Sequence, residues 1–581
     1  MKEIIEIIQK FIPIPQDIVF KEISGLNQCN VLDNCIEYSD KRAALRGLGL
    51  YLAGERGSFK CSFKTLGVMY DCSRNGVPKI SWLKRQLVGL ALLGYNQLQM
   101  YMEDTYQCPG EPLFGYGRGA YSLEELQELD QFGQSLGIEV CAAIQTLGHM
   151  ENLLKFSTYS KVSDTPRILL ADEEETYILI EKMISFQAQA FRSRRINIGL
   201  DEAVGLGQGK HLEKFGYEHA FDIFLRHLKR VIEICQKYGL QPMIWSDMFF
   251  RIFDANHNYY VSEMVVTKEM KEKVPQEVQL VFWDYYHWEE KYYLDMIKIH
   301  NDFGFKPIMA SMIWTPARLW YDHGQTKRTV PPCINAAEQT NLDELIFTLW
   351  GDDGAYCDFD SALAGLAFSS AVAWKSSQDT LPKQYKLFFD GDYKRVIATS
   401  ALTVDQPEQF TPGLAAADII WDDPLLWIGC RNAQQRYPEV LDLMKKQCED
   451  ALLHLQGGTY PCGGGDLDHA KNLCELMILK INLYFRMKEK LLDLDTIELA
   501  EKAALATEQV ILSFRRQWMK RNKPFGMHVT QIRFAGLAER FREVSRRIKE
   551  STSFPELDID QSPVPFGTGN WHAANLVPKV N

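Results

Sequence analysis

RRINIGLDE, residues 194–202, sets three apolar side chains, Ile196, Ile198 and Leu200, between two arginines and two adjacent carboxylates. A short β-branched run ending in polar residues is the pattern of a strand buried on both faces of a parallel sheet. In a (β/α)8 barrel the carboxyl end of such a strand faces the active site, so Asp201 and Glu202 stand where chemistry is expected. The continuation AVGLGQGKH is too rich in glycine to run directly into a regular helix, and the two acids therefore open onto a loop. Taken alone, the same pair also suits a helix N-cap or a solvated turn.

Outward from this stretch the pattern repeats. Eight apolar runs that end in polar or aromatic residues read as strands: 65–71, 96–103, 139–146, 196–202, 242–247, 279–285, 307–314 and 345–352. Helical periodicity fills the intervals, with Pro78 suited to a first helical position and Ser122 with Glu125 forming a capping-box pattern. Strands alternating with helices imply a parallel sheet, and eight units over about three hundred residues imply a closed barrel. The weakest unit is the fifth, where residues 256–274 hold one short helix. The expected architecture is α/β: a small α/β domain over residues 1–63, a (β/α)8 barrel over 64–385, and a helical domain over 386–581 with an extended tail. In that last part Leu473, Leu476, Met477, Leu483, Tyr484 and Met487 share a helix face, a pattern of packing. Trp571 needs a place to pack.

Composition narrows the partners. The 581 residues carry a net charge of −12, which speaks against nucleic acid as the main partner. No apolar run approaches the roughly 18 residues that cross a bilayer, so no membrane partner is expected. The amphipathic N-terminus carries Glu3 and Glu6 and is unlike a signal peptide. Thirteen cysteines lack CxxC or Cys/His zinc spacing, which suits reduced thiols in a cytoplasm and no metal site or cofactor.

The strand ends gather Asp71 and Arg74; Glu103 and Asp104; Gln145 and His149; Asp201 and Glu202; Trp245 and Asp247; Trp283, Asp284, Tyr285 and Tyr286; Trp314; and Trp350, Asp352 and Asp353. Indole walls with a few directed acids and one arginine describe a carbohydrate pocket. Neighbours on a strand point to opposite sides of the pleat. A conventional retaining glycosidase holds its acids about 5–5.5 Å apart across the bond, and that pair comes from separate strands. The adjacency of Asp201 and Glu202 fits better with one acid protonating the leaving oxygen while the other orients part of the substrate.

INIGLDEAVGLG, with RGLGLYLAGERG and TLGVMYDCSRN upstream, resembles glycoside hydrolase family 20, in particular its cytoplasmic bacterial exo-β-N-acetylglucosaminidase branch. The resemblance implies removal of terminal β-linked N-acetylglucosamine, or N-acetylgalactosamine, from an oligosaccharide through an oxazoline formed by the substrate's acetamido group. It implies Glu202 as general acid and base, with a raised pKa, and Asp201 on the acetamido N–H. Arg74 would grip the O3 and O4 hydroxyls, and Tyr285 or Tyr286 the acetamido carbonyl, with Trp245, Trp314 and Trp350 lining the pocket. Asp104, His149 and Asp352 complete the expected substrate contacts. Two positions depart from the family: Gln145 replaces an acid that backs the histidine, and Asp352 a longer glutamate. Two other readings are a barrel glycosidase using a protein nucleophile, such as Glu103 with Glu202, and a silent glycan-binding barrel. A homodimer is expected from the apolar helical face.

Overall fold

The computed structural model describes residues 1–254, 258–352, 354–402, 416–456 and 464–558; Trp571 and Asp353 lie outside them. After the helix Lys2–Ile8 comes a four-stranded sheet in the spatial order Val19–Glu22, Cys35–Tyr38, Gln28–Val31 and Gly57–Lys60. The helix Lys41–Ala53 packs on it, and Asp40 caps that helix by accepting from the Ala43 amide. Arg42, buried at the helix start, donates to the Gly94 carbonyl at 2.6 Å and so ties the sheet to the barrel.

Eight parallel strands then close into a barrel: Thr65–Asp71, Gln97–Tyr101, Glu139–Ala143, Arg195–Asn197, Gln241–Trp245, Gln279–Trp283, Ile308–Met312 and Glu344–Leu349. The eighth closes on the first over six residue pairs, from Glu344 with Thr65 to Leu349 with Tyr70. Side chains alternate between the lumen and the surrounding helices. Met69, Tyr101, Trp245, Val281, Ala310 and Ile346 fill the interior, while Leu66, Val68, Leu98 and Phe347 join the core beneath the helices.

Every strand read from the sequence is present, but most stop short of the carboxyl end expected for them. The fourth stops at Asn197, because Gly199 and Leu200 take left-handed backbone, φ 74° and 67°. Ser122 does cap the helix Leu123–Ser135 in a reciprocal box with Glu125. Pro78, in contrast, precedes its helix, Ile80–Leu92. It lies in an antiparallel bridge with Asn522, and the Lys79 amide donates to the Arg521 carbonyl at 2.9 Å, which keeps this segment extended.

That bridge belongs to the helices that follow the barrel: Val440–His454, Leu467–Lys488, Leu494–Arg521 and Met527–Lys549. The stripe from Leu473 to Met487 is wholly buried among them. The turn between the last two helices reaches the barrel rim. Lys523 donates its amide to the Val77 carbonyl at 2.8 Å, and a side chain at Gly526 (φ 80°) would strike the Asn75 backbone. Arg521 Nη1 donates to Asp358 Oδ1 at 2.9 Å with both side chains buried. Among the described residues, no helix is long and apolar enough to cross a membrane.

Removing one partner of a buried ion pair leaves an uncompensated charge in low dielectric. Arg521→Met is expected to lower the unfolding free energy by about 3–5 kcal/mol, measured by denaturant unfolding followed by circular dichroism.

Candidate active site

The carboxyl ends of the strands surround an open cavity. Arg74, His149, Asp201, Glu202, Trp245, Tyr285, Tyr286, Trp314, Trp350 and Asp352 all line it. Asp104 does not. Its carboxylate is buried against Arg118, whose Nε donates at 2.9 Å, and Glu103, also outside the lining, is buried against Arg74 and Tyr101. The Glu103 backbone is left-handed, φ 42°, so this segment has also left the regular strand. Trp283 and Arg318 also form part of the lining, and Trp283 therefore does more than pack the core.

Asp201 and Glu202 do not obey the pleat expected of them, because the segment that carries them has left the ladder. Gly199 and Leu200 turn the chain, and Glu202 is itself left-handed, φ 49°. Such backbone costs of order 1 kcal/mol per residue and persists only where surrounding contacts enforce it. A side chain at Gly199 would meet Gln145 Oε1 at 2.1 Å, so this turn also depends on the absence of a Cβ. As a result both carboxylates face one imidazole: His149 Nε2 lies 3.2 Å from Asp201 Oδ2 and 3.4 Å from Glu202 Oε2.

A polar circuit continues from this group around the rim. Gln145 Nε2 donates to Asp201 Oδ1 at 2.7 Å and to the Tyr101 hydroxyl at 2.9 Å. Tyr101 donates to Glu103 Oε1 at 3.2 Å, and Arg74 Nη2 lies 3.5 Å from the same oxygen. Arg74 is also 3.3 Å from Asp71 Oδ2 and packs its guanidinium over the Tyr101 and Trp350 rings. Asp71 accepts the Gly351 amide at 2.8 Å and so joins the first strand end to the last. Trp350 Nε1 donates to the Tyr285 hydroxyl at 3.1 Å; Tyr285 is buried, whereas Tyr286 is 37% exposed. Asp352 stands at the mouth, 44% exposed and 3.9 Å from Arg74 Nε. The replacement of an acid by Gln145 thus has a visible consequence. The amide braces Asp201, and Asp201 and Glu202 themselves hold His149.

Electrostatics follow from burial working against these pairings. Burial alone would favour the neutral forms of Asp201, Glu202 and His149. The imidazolium between the two carboxylates outweighs it, holding both acids below their ordinary range and His149 well above its own. The Tyr259 hydroxyl, hydrogen-bonded to Glu202, adds to the depression. Glu202 is therefore held toward its ionised form, contrary to the raised value expected of it, because the expectation lacked His149 as a neighbour. Burial lifts Glu103 to about 7 although Arg74 opposes it. Asp247, wholly buried and facing Asp201, is pushed to about 8.

The donor sets for a cation lie elsewhere. Among the described residues, Asp172, His211 and Glu218 offer close ligand atoms, and none of them lines the cavity. Arg226 already bridges their carboxylates, 2.7 Å from Asp172 and 2.8 Å from Glu218.

Sequence reading placed Asp247 among the strand-end residues without giving it a role, and did not select Tyr259 or Arg318. Asp247 lies two residues past the fifth strand and was open to selection on that ground. Tyr259 follows the fifth strand in the least regular unit of the barrel, and Arg318 belongs to the loop after the seventh, where no periodicity points to them.

If His149 owes its proton to the carboxylates, Asp201→Asn must lower its pKa. The histidine resonances in heteronuclear NMR are expected to titrate at clearly lower pH in the variant, and an unmoved titration would contradict the pairing.

Comparison with known proteins gives a consistent family. Residues 63–341 match the profile of the glycosyl hydrolase family 20 catalytic domain, and residues 402–561 that of the Glycoside Hydrolase 20C C-terminal domain. Hexosaminidase D of Homo sapiens is 26% identical over 217 residues, 36% of this chain and 42% of that protein. Hexosaminidase D of Bos taurus is 25% identical over 217 residues, 36% of this chain and 59% of that protein. The chain thus spans about half the length of the curated relatives it matches. Two solved structures share the fold. One is a GH20 exo-β-N-acetylglucosaminidase from Vibrio harveyi in complex with N-acetylglucosamine, with TM-score 0.51 and 14% identity, covering 68% of this chain and 72% of that one. The other is a β-N-acetylhexosaminidase from Bacteroides fragilis, with TM-score 0.50 and 16% identity, covering 66% and 88%.

Proposed function

The chain belongs to glycoside hydrolase family 20, and from that premise we propose that it is an exo-acting β-N-acetylhexosaminidase using its substrate's own acetamido group as nucleophile. The observation that carries the reading is the adjacent pair Asp201 and Glu202 turned onto one imidazole at the cavity floor.

A terminal N-acetylglucosamine enters with its ring against Trp350 and its O3 and O4 hydroxyls on Arg74, whose planar guanidinium is already fixed by Asp71 and Glu103. The acetamido group lies among Trp245, Trp314 and Trp350. Its N–H meets Asp201, and its carbonyl meets Tyr285, the better fixed of the two tyrosines. The carbonyl oxygen then attacks the anomeric carbon as Glu202 donates a proton to the departing oxygen. Asp201 stabilises the positive charge that grows on the amide as the oxazoline forms. Glu202, now a carboxylate, takes a proton from water, which opens the oxazoline with overall retention. Glu202, held toward its ionised form by His149, must acquire its proton from solvent as substrate binds. Substrate that covers the cavity removes water from Glu202, which favours its neutral form.

Glu103 is a poor protein nucleophile: it is tied to Arg74, and at about 7 a large share is neutral at working pH. The reading with a substrate nucleophile is therefore preferred over the pair Glu103 and Glu202. The chemistry also favours a product of one hexosamine with its β configuration kept.

Turnover of chromogenic N-acetylglucosaminide and of the matching glucoside tests the reading. The first is expected to be cleaved and the second not; equal turnover of both would contradict acetamido participation. Glu202→Gln is expected to lose about 10²–10⁴-fold in kcat while still binding an oxazoline mimic, measured by steady-state kinetics and calorimetry.

A further inference from the structure

We infer that Asp247 is a positioning residue that clamps Glu202 and the Trp283 wall of the cavity into one rigid unit. The inference rests on the assignment of Glu202 as the acid that protonates the leaving group.

Asp247 follows the fifth barrel strand, starts the short helix Asp247–Arg251, and is wholly buried. Its two oxygens serve two different elements. Oδ2 accepts the backbone N–H of Glu202 at 3.1 Å, and Oδ1 accepts Trp283 Nε1 at 3.3 Å. The first bond acts on the residue whose backbone is left-handed, and therefore opposes the relaxation that the strain would drive. Reversion of Glu202 toward the extended region would swing its carboxylate away from the cavity. The second bond sets the rotation of the indole that stacks on Tyr285 at 5.1 Å between ring centroids. Tyr285 in turn accepts from Trp350. One carboxyl group thus links the acid, the wall and the tyrosine facing the acetamido group.

No other residue type of this size offers both acceptors. An asparagine retains one oxygen, and its NH2 group would face an N–H donor at the other contact. The charged groups around Asp247 are Asp201 and Glu202 on the fourth strand end, with the Tyr259 and Tyr260 hydroxyls of the loop after the fifth strand. Burial and Asp201 push Asp247 up to about 8, while the Glu202 and Trp283 N–H donors oppose that rise by favouring the carboxylate that accepts both.

The test separates misplacement of the acid from general damage. An aryl leaving group such as 4-nitrophenolate needs little protonation, whereas the sugar hydroxyl released from chitobiose needs it fully. In Asp247→Asn, kcat is expected to fall about tenfold or less with 4-nitrophenyl N-acetylglucosaminide and about a hundredfold with chitobiose. Glu202→Gln, measured alongside, is expected to show the same but steeper divergence. If Glu202→Gln affects both substrates equally, the acid assignment itself fails. If Glu202→Gln diverges and Asp247→Asn lowers both equally or neither, the clamp is refuted. Should Asp247→Asn not fold, as judged by circular dichroism, Trp283→Phe keeps the carboxyl group and removes one donor. It is expected to raise KM several-fold for both substrates without the divergence in kcat; an unchanged KM would overturn the proposed hold on the wall.

Discussion

The imidazolium of His149, shared between Asp201 and Glu202, is the interaction on which the whole rim is arranged. Two adjacent carboxylates reach one nitrogen only because Gly199, Leu200 and Glu202 take left-handed backbone after the fourth strand. That backbone is unfavourable in isolation, so its neighbours must hold it. Gln145 braces Asp201, Asp247 accepts the Glu202 amide, and a Cβ at Gly148 would sit 2.8 Å from the Asp201 carbonyl. The barrel supplies these braces from its third, fourth and fifth strands at once, which a single loop could not do. Strain at the chemical centre and rigidity around it are two sides of the same construction.

The same circuit crosses to the far side of the cavity through Tyr101, Glu103 and Arg74, and closes through Asp71 on the last strand's Gly351. The C-terminal helices meet the rim at this point. Arg521, Lys523 and Gly526 engage Asp358, Val77 and Asn75, the loops that flank Arg74 and Trp350. The helical part of the chain therefore supports the arginine that would grip the sugar, in addition to burying its own apolar stripe.

Much of the architecture was legible because it rests on periodicity. Eight apolar runs with helices between them have few alternatives to a closed parallel barrel, and Ser122 with Glu125 announces its helix by composition alone. The site was legible to the extent that strand ends carry their polar residues in order. What escaped depends on dihedral angles and on neighbours distant in sequence. Neither Glu103 nor Asp104 lines the cavity, because each is buried on an arginine, and Asp201 and Glu202 leave the pleat through the positive φ of Gly199, Leu200 and Glu202. Glu202 sits below its ordinary range because His149 is 3.4 Å away, a distance no spacing encodes. Asp247 resembled a strand terminator like the others, and only its two bonds distinguish it.

The central claim is that the second nucleophile belongs to the sugar, which is why the protein places its two acids side by side instead of across the bond. The most direct measurement is the rate on a series of aryl glucosaminides whose N-acyl group carries zero, one, two or three fluorines. Each fluorine weakens the carbonyl oxygen as a nucleophile without removing it. The account predicts a steep, monotonic fall in kcat/KM along the series, whereas rates that do not respond to fluorination would show that a group of the protein attacks the anomeric carbon.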